Sequence, residues 1–184
     1  MIGTHNSGTG EPSKCWYHQL LVPFAKCQKH SVVGQVKKGA RFLDLRVRRI
    51  NNEYLFCHGL WVSKSNLKDT LRKVDNYLIG INDTCNVIIT YEGEIQGLFA
   101  ELFRKDIEEM MNDYYMIDLV QVCVKKPVWN VLKGYKDVWF EQGFKSLDFT
   151  SWHTLIPIPW LWDKVFGKPT NTNVDNKYTL VDFY

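Results

Sequence analysis

An α/β fold built on a parallel sheet is what this sequence predicts, and three observations carry the prediction. Asn86-Val-Ile-Ile-Thr-Tyr91 is a continuous apolar run of the kind buried on both faces of a parallel sheet. Leu67, Leu71, Val74 and Leu78 recur at helical spacing before it, and Ile95, Leu98, Phe99, Leu102, Phe103, Ile107, Met110 and Met111 after it. Strands and helices therefore alternate along the chain, which is the pattern of that class.

In chain order, residues 1–4 read as the end of a short buried strand that runs into a glycine-rich turn through Gly8, Gly10 and Pro12. Residues 16–38 read as partly helical, interrupted near Pro23. Residues 41–50 are a strand, in which Phe42, Leu43, Leu45 and Val47 surround two charged residues, Asp44 and Arg46. Asn51-Asn52 has turn chemistry, and residues 54–58 return as a second strand. Ser65-Asn66 offers an amino-terminal cap to the helix that begins at Leu67. The Met and Phe stripe of residues 95–111 reads as core. Beyond Lys125 the pattern is sparser: Val131-Leu132, residues 138–140 and residues 177–183 read as strands. Residues 144–169 read as an aromatic loop holding three of the seven tryptophans.

A length of 184 residues suits one domain, residues 1–184. Lys+Arg 23 against Asp+Glu 20 is too mixed a charge to argue for a nucleic-acid partner. No apolar run is long enough to span a membrane. The first residues show neither a charged nor an apolar leader segment, so a cytoplasmic or peripheral-membrane location is favoured. Five cysteines, none in a CxxC arrangement, leave one unpaired under any pairing and favour a reducing compartment.

The chemistry gathers at strand ends. His5 follows the first strand, Asp44 and Arg46 lie in the second, and His58 closes the third. In parallel α/β sheets and barrels the carboxyl ends of the strands converge on one face, where active sites sit. Two imidazoles and a guanidinium suit phosphate-ester cleavage. One imidazole removes a proton from a nucleophilic hydroxyl, the other donates one to the leaving oxygen, and the cation stabilises the phosphorane between them. Singly, each histidine reads more readily as structural, and Arg46 as the partner of Asp44 on the same strand face.

Three segments in register resemble the X domain of phosphatidylinositol-specific phospholipase C. They are Ile2-Gly-Thr-His-Asn-Ser-Gly-Thr9, Gly39-Ala-Arg-Phe-Leu-Asp-Leu-Arg-Val47 and Cys57-His-Gly59. The resemblance is close over residues 1–60 and collinear through Tyr91-Glu92. It implies a distorted TIM-like β/α barrel, incomplete at its carboxyl terminus in one reading of that end. It also implies an inositol phospholipid substrate presented on a membrane surface. His5 would deprotonate the inositol 2-hydroxyl and His58 would protonate the departing diacylglycerol. Arg46 would hold the non-bridging oxygens, with Asp44 balancing or orienting the cations. Asn6 joins the catalytic set as the residue after the first histidine.

Arg46 resembles the metal-free bacterial members, whereas Asn6 and Glu92 stand where calcium-dependent members place ligands. Calcium needs 6–8 oxygens and several carboxylates. The expectation is therefore no metal and a Glu92–Arg46 ion pair near the substrate, with calcium held by Asn6, Asp44 and Glu92 as the alternative. Asn176-Lys177-Tyr178 resembles a bacterial segment whose tyrosine stacks on inositol, which makes Lys177 and Tyr178 substrate-binding candidates. In that register the chain stops before the last barrel strands; otherwise Asp182 orients the first histidine. Trp160 and Trp162, and secondarily Trp61, are candidates for membrane contact. Two alternatives to the lipase reading stand: a weak or silent lipid-head-group binding module on the same fold, and a glycerophosphodiesterase or sphingomyelinase D-like enzyme.

Overall fold

The fold is organised around one long strand, β2 (Ala40–Ile50), in a computed structural model that describes residues 2–4, 6–93, 95–125 and 179–181. Both faces of β2 are buried, which is why its apolar pattern is nearly continuous. Along one edge runs β5 (Cys85–Glu92), parallel, with Phe42 opposite Asn86 and Val47 opposite Tyr91. β6 (Ile117–Lys125) adds parallel to β5. The other edge of β2 is shared. Its first half pairs in parallel with β1 (Ile2–Thr4), and its second half pairs antiparallel with β3 (Glu53–His58).

β7 (Thr179–Val181) lies parallel to β1, and β4 (Trp61–Asn66) lies antiparallel to β3, giving a mixed sheet of seven strands among the described residues. The parallel order is β7-β1-β2-β5-β6. Among the described residues this sheet is open, with β6 and β7 at its ends rather than paired into a ring. The strands expected near Val131 and in residues 138–140 lie outside the described residues, as does the aromatic loop of residues 144–169.

Among the described residues four α-helices accompany the sheet: α1 (Val22–Ala25), α2 (Val32–Lys37), α3 (Leu67–Ile81) and α4 (Leu98–Met111). The core joins Leu43, Leu45, Val47, Val87 and Ile89 of the sheet to Val32, Val36, Leu67, Leu71, Val74, Leu78, Phe103 and Ile107 of the helices. Asn66 caps α3 as expected, its side-chain oxygen accepting from Asp69 N at 2.8 Å. The Asn51-Asn52 turn has both φ angles positive, 51° and 66°, as a tight two-residue hairpin requires. Asparagine tolerates that region better than most residues.

Several expectations are corrected. The Pro23 signal is not a break, because proline is accepted in the first turn of a helix and sits in that turn of α1; the helical segment is interrupted later, at residues 26–31. α4 starts at Leu98 after Gly97, so Ile95 precedes it, and Leu98, Phe99 and Leu102 are exposed rather than core. Phe103, Ile107 and Met111 of that stripe are buried, and Ile95 and Met110 pack partly buried against the same core. β4 and β6 are strands that the sequence pattern does not reveal. In β6 a register irregularity opposite Val87/Ile88 inserts Val120, so the core-facing set shifts from Ile117 and Leu119 to Val122 and Val124. Trp61 is buried and donates from Nε1 to Ser13 Oγ at 2.9 Å, which removes it from membrane contact.

The glycine-rich turn after β1 is built by close approach. A Cβ on Gly8 would lie 2.6 Å from the Phe56 ring, and one on Gly10 would lie 1.7 Å from the His30 carbonyl oxygen. Glu11 ties this turn to the rest of the fold. Its carboxylate accepts from Val32 N at the start of α2 (2.9 Å) and from Ser65 Oγ on β4 (2.7 Å).

Candidate active site

Alternation along the strands gives the sheet two chemically different faces. The odd-numbered residues of β2 and β5 meet the helices. The even-numbered ones, Phe42, Asp44, Arg46, Ile88 and Thr90, are buried on the other face. Register sets Asp44 opposite Ile88, Arg46 opposite Thr90 and Thr90 opposite Cys123, so the polar groups share one band across three strands.

Asp44 and Arg46 form an ion pair, Nη2 to Oδ2 at 3.3 Å, with side chains 0% and 5% exposed. Burying two charges costs several kcal/mol per ion in desolvation, about what the attraction returns, so stability alone does not account for the pair. The same Asp44 Oδ2 accepts the backbone N–H of Asn6 at 3.1 Å. Asn6 is in the left-handed region (φ 47°), which turns its N–H toward Asp44, and its buried side chain donates from Nδ2 to Cys27 Sγ at 3.5 Å. Asn6 is thus placed as a support for Asp44.

β3 brings in His58 from the opposite direction to β1. Val47 is opposite Phe56, so β3 descends along β2 to His58, toward the level where β1 ends with Thr4 opposite Leu43. Convergence of parallel strand ends is therefore not what places His58; two strands running head-on along one edge of β2 do that. His58 Nδ1 lies 2.8 Å from the Ala25 carbonyl oxygen. A carbonyl only accepts, so Nδ1 carries the hydrogen, and Nε2 is the nitrogen that exchanges a proton.

Glu92 ends β5. Its Oε1 accepts from Gly59 N at 2.6 Å, and its carbonyl accepts from Arg48 Nε at 3.0 Å. Glu92 thus meets the turn after His58 and Arg48, and Arg46 pairs with Asp44. His5, Lys177, Tyr178 and Asp182 lie outside the described residues, as do Trp160 and Trp162.

Four contributors were not anticipated from sequence: Arg48, Thr90, Cys123 and the Ala25 carbonyl. Arg48 and Thr90 follow the alternation that marks Asp44 and Arg46 and were findable by it. Cys123 sits behind the irregularity in β6, and a backbone carbonyl leaves no trace in a sequence. Burial, then the nearby Asp44 carboxylate, pushes the Cys123 thiol up to about 11, with a Thr90 hydrogen bond opposing. At neutral pH it is a protonated thiol and not a nucleophile.

Among the described residues no cluster of three or more His, Cys, Asp or Glu could hold a metal ion. The groups named for the calcium alternative, Asn6, Asp44 and Glu92, have these partners: Asp44 Oδ2 faces a guanidinium and an N–H, Glu92 Oε1 faces an N–H, and the Asn6 amide nitrogen is turned to a sulfur. A hard cation wants 6–8 oxygens, and the Arg46 guanidinium 3.3 Å from Asp44 Oδ2 places a positive charge beside these carboxylates.

Trp16, Tyr17 and Leu20, in a short 3-10 helix (Trp16–Leu21), are exposed, Trp16 by 76%. Leu60, at the turn after His58, is equally exposed at 76%. His18 of the same 3-10 helix lies 3.3 Å from the Val62 carbonyl oxygen through Nδ1, which joins that helix to β4. Among the described residues no helix is long and apolar enough to cross a membrane.

No family model matches the chain, and no curated protein matches it. Solved structures do. One is a variant of the phosphatidylinositol-specific phospholipase C from Staphylococcus aureus, at TM-score 0.52 and 22% identity, covering 66% of this chain and 46% of that one. Another structure of the S. aureus enzyme, concerned with modulation of its membrane binding, gives TM-score 0.50 and 20% identity over 71% of this chain and 49% of that one. The phosphatidylinositol-specific phospholipase C from Listeria monocytogenes gives 0.49 and 18%, covering 67% and 50%. The chain spans about half the length of the structures it matches. The fold of this chain is thus a mixed α/β fold similar to that of the S. aureus phosphatidylinositol-specific phospholipase C.

Proposed function

We propose that the chain is a phosphodiesterase of the phosphatidylinositol-specific phospholipase C type, cleaving a glycerophosphoinositide to a cyclic inositol phosphate and diacylglycerol. The observation that carries this reading is the buried Asp44–Arg46 pair on the polar face of the sheet, on the strand whose edge also bears His58. The fold likeness supports it.

In this reading His5 takes the proton of the inositol 2-hydroxyl as its oxygen attacks phosphorus. A new P–O bond closes the five-membered cyclic phosphate. The bond from phosphorus to the diacylglycerol oxygen breaks, and His58 Nε2 gives that oxygen a proton. The Arg46 guanidinium receives the charge that grows on the non-bridging oxygens, and it is held for that purpose by Asp44. Lys177 and Tyr178 would contact the inositol ring and Asp182 would orient His5. The same reading has the open sheet belong to a distorted β/α barrel and needs no metal.

Phosphorus NMR of the protein with phosphatidylinositol vesicles tests the reading. A cyclic inositol phosphate should appear before any open-chain phosphate. Binding to the vesicles without any cyclic product would instead favour a silent head-group module. An open-chain phosphate formed first would favour a hydrolase that activates water directly.

The substrate is a lipid, so docking is peripheral and reversible. Trp16, Tyr17, Leu20 and Leu60 are the described apolar side chains exposed on the segments flanking His58. Burying a large apolar side chain is worth roughly 1.5–3 kcal/mol. Trp16→Ala combined with Leu20→Ala should therefore weaken vesicle binding at least about tenfold, while turnover of a soluble short-chain substrate holds. Unchanged binding in a vesicle co-sedimentation assay would move the contact elsewhere, with Trp160 and Trp162 the next candidates.

A further inference from the structure

Gly59, the residue after His58, has both of its backbone polar groups held from neighbouring strands. Its N–H donates to Glu92 Oε1 at 2.6 Å, and its carbonyl accepts from Arg48 Nη2 at 3.1 Å. The same guanidinium donates from Nε to the Glu92 carbonyl at 3.0 Å. Arg48 lies two residues beyond Arg46 on β2, and Glu92 two beyond Thr90 on β5, so both continue the polar band of the site by alternation. Gly59 adopts φ +61°, and a Cβ there would meet nothing within 4 Å. The glycine is thus required by conformation and not by space.

The turn gains no packing from its tip, because Leu60 is exposed. The turn closes the β3–β4 hairpin, where His58 is opposite Trp61, and the polar contacts to Gly59 add to that pairing; a short N–H to carboxylate bond is among the stronger ones available. His58 sits between this clamp and the Ala25 carbonyl that receives its Nδ1–H. We propose that Glu92 and Arg48 are positioning residues for His58: they lock the turn after β3 and so fix the imidazole with Nε2 facing the reacting oxygen. In this role Glu92 acts on His58 through a backbone amide, its Oε1 given to Gly59 N. The inference rests on His58 being the general acid of the proposed reaction.

The test compares wild type, Glu92→Ala and Glu92→Gln in the full chain. It reads the His58 imidazole by nitrogen-15 NMR and phosphatidylinositol cleavage by steady-state kinetics. Glutamine keeps an oxygen that can accept from Gly59 N, whereas alanine does not. With the imidazole titrated to its neutral form, wild type should show a single Nδ1–H tautomer. In Glu92→Ala that signature should become mixed and kcat should fall about 10²-fold, the scale of a misplaced catalytic group, with KM nearly unchanged. Glu92→Gln should restore the tautomer and most of kcat.

A wild-type tautomer and kcat in Glu92→Ala would overturn the proposal. So would a Glu92→Gln variant as impaired as Glu92→Ala with a raised KM, since that marks a need for the charge itself. If wild type cleaves no phosphatidylinositol yet the tautomer becomes mixed in Glu92→Ala, the clamp stands and the lipase reading falls.

Discussion

His58→Ala should lose about 10²–10⁴-fold in kcat on phosphatidylinositol, the range over which a positioned general acid acts. The size of the loss should depend on the leaving group. Diacylglycerol departs as a basic alkoxide and needs a proton in the transition state. A phenolate leaving group, as in a nitrophenyl inositol phosphate, departs without one. The His58→Ala defect should therefore shrink by at least about tenfold on the nitrophenyl substrate. His5→Ala should be equally impaired on both, because activation of the 2-hydroxyl is common to them. The geometry behind this is the 2.8 Å contact from Nδ1 to the Ala25 carbonyl, which leaves Nε2 as the nitrogen that takes up a proton and, in the imidazolium, gives it to the leaving oxygen. A His58→Ala variant with wild-type turnover, or one equally impaired on both substrates, would take the acid role away from His58.

Arg46→Ala should cost about 3–4 kcal/mol of barrier, the scale of a lost transition-state donor. The variant also strands Asp44, fully buried, without that partner, and breaking a buried pair can itself cost about 3–5 kcal/mol of stability. Arg46→Lys separates the two effects. It keeps a cation beside Asp44 and so most of the stability, but it lacks the planar fork that grips a phosphate with two parallel bonds. The melting temperature should thus recover in Arg46→Lys while kcat stays far below wild type. Wild-type turnover should meanwhile survive excess EDTA, because the proposed mechanism assigns the charge on the phosphate to the Arg46 guanidinium. Activity lost in EDTA and restored by added calcium would make Asn6, Asp44 and Glu92 ligands after all.

How much of this was legible depended on whether a feature is written in side chains. Asp44 and Arg46 were legible because two charges inside an apolar run need a reason and their spacing puts them on one face. The α3 helix was legible because its stripe and its Asn66 cap agree. By contrast, β6 was hidden by the one-residue shift at Val120, which breaks the alternation a strand is recognised by. The α4 stripe was over-read as core. Periodicity reports which face of a helix is apolar but not where its neighbours stop, and Leu98, Phe99 and Leu102 are left exposed. Glu92 was legible as a site residue by its place at the end of β5, whereas its partner, the amide of Gly59, was not. Backbone groups at Ala25 and Gly59 decide what His58 and Glu92 can do, and no side-chain pattern announces them.

The shared edge of β2 bears on length tolerance. β1 and β3 both take their register from this one strand, at Leu43 and at Val47 respectively. Between those two points lie Asp44 and Arg46. Deleting a single residue there would draw β3 one step closer to β1 and turn every later side chain of β2 to the opposite face, sending the guanidinium into the helix-covered core. Substitutions in this stretch alter one group at a time, whereas an insertion or deletion alters the distance between two strands and the facing of the cation together. From residue 43 to residue 47 a change of length therefore costs more than any single substitution there.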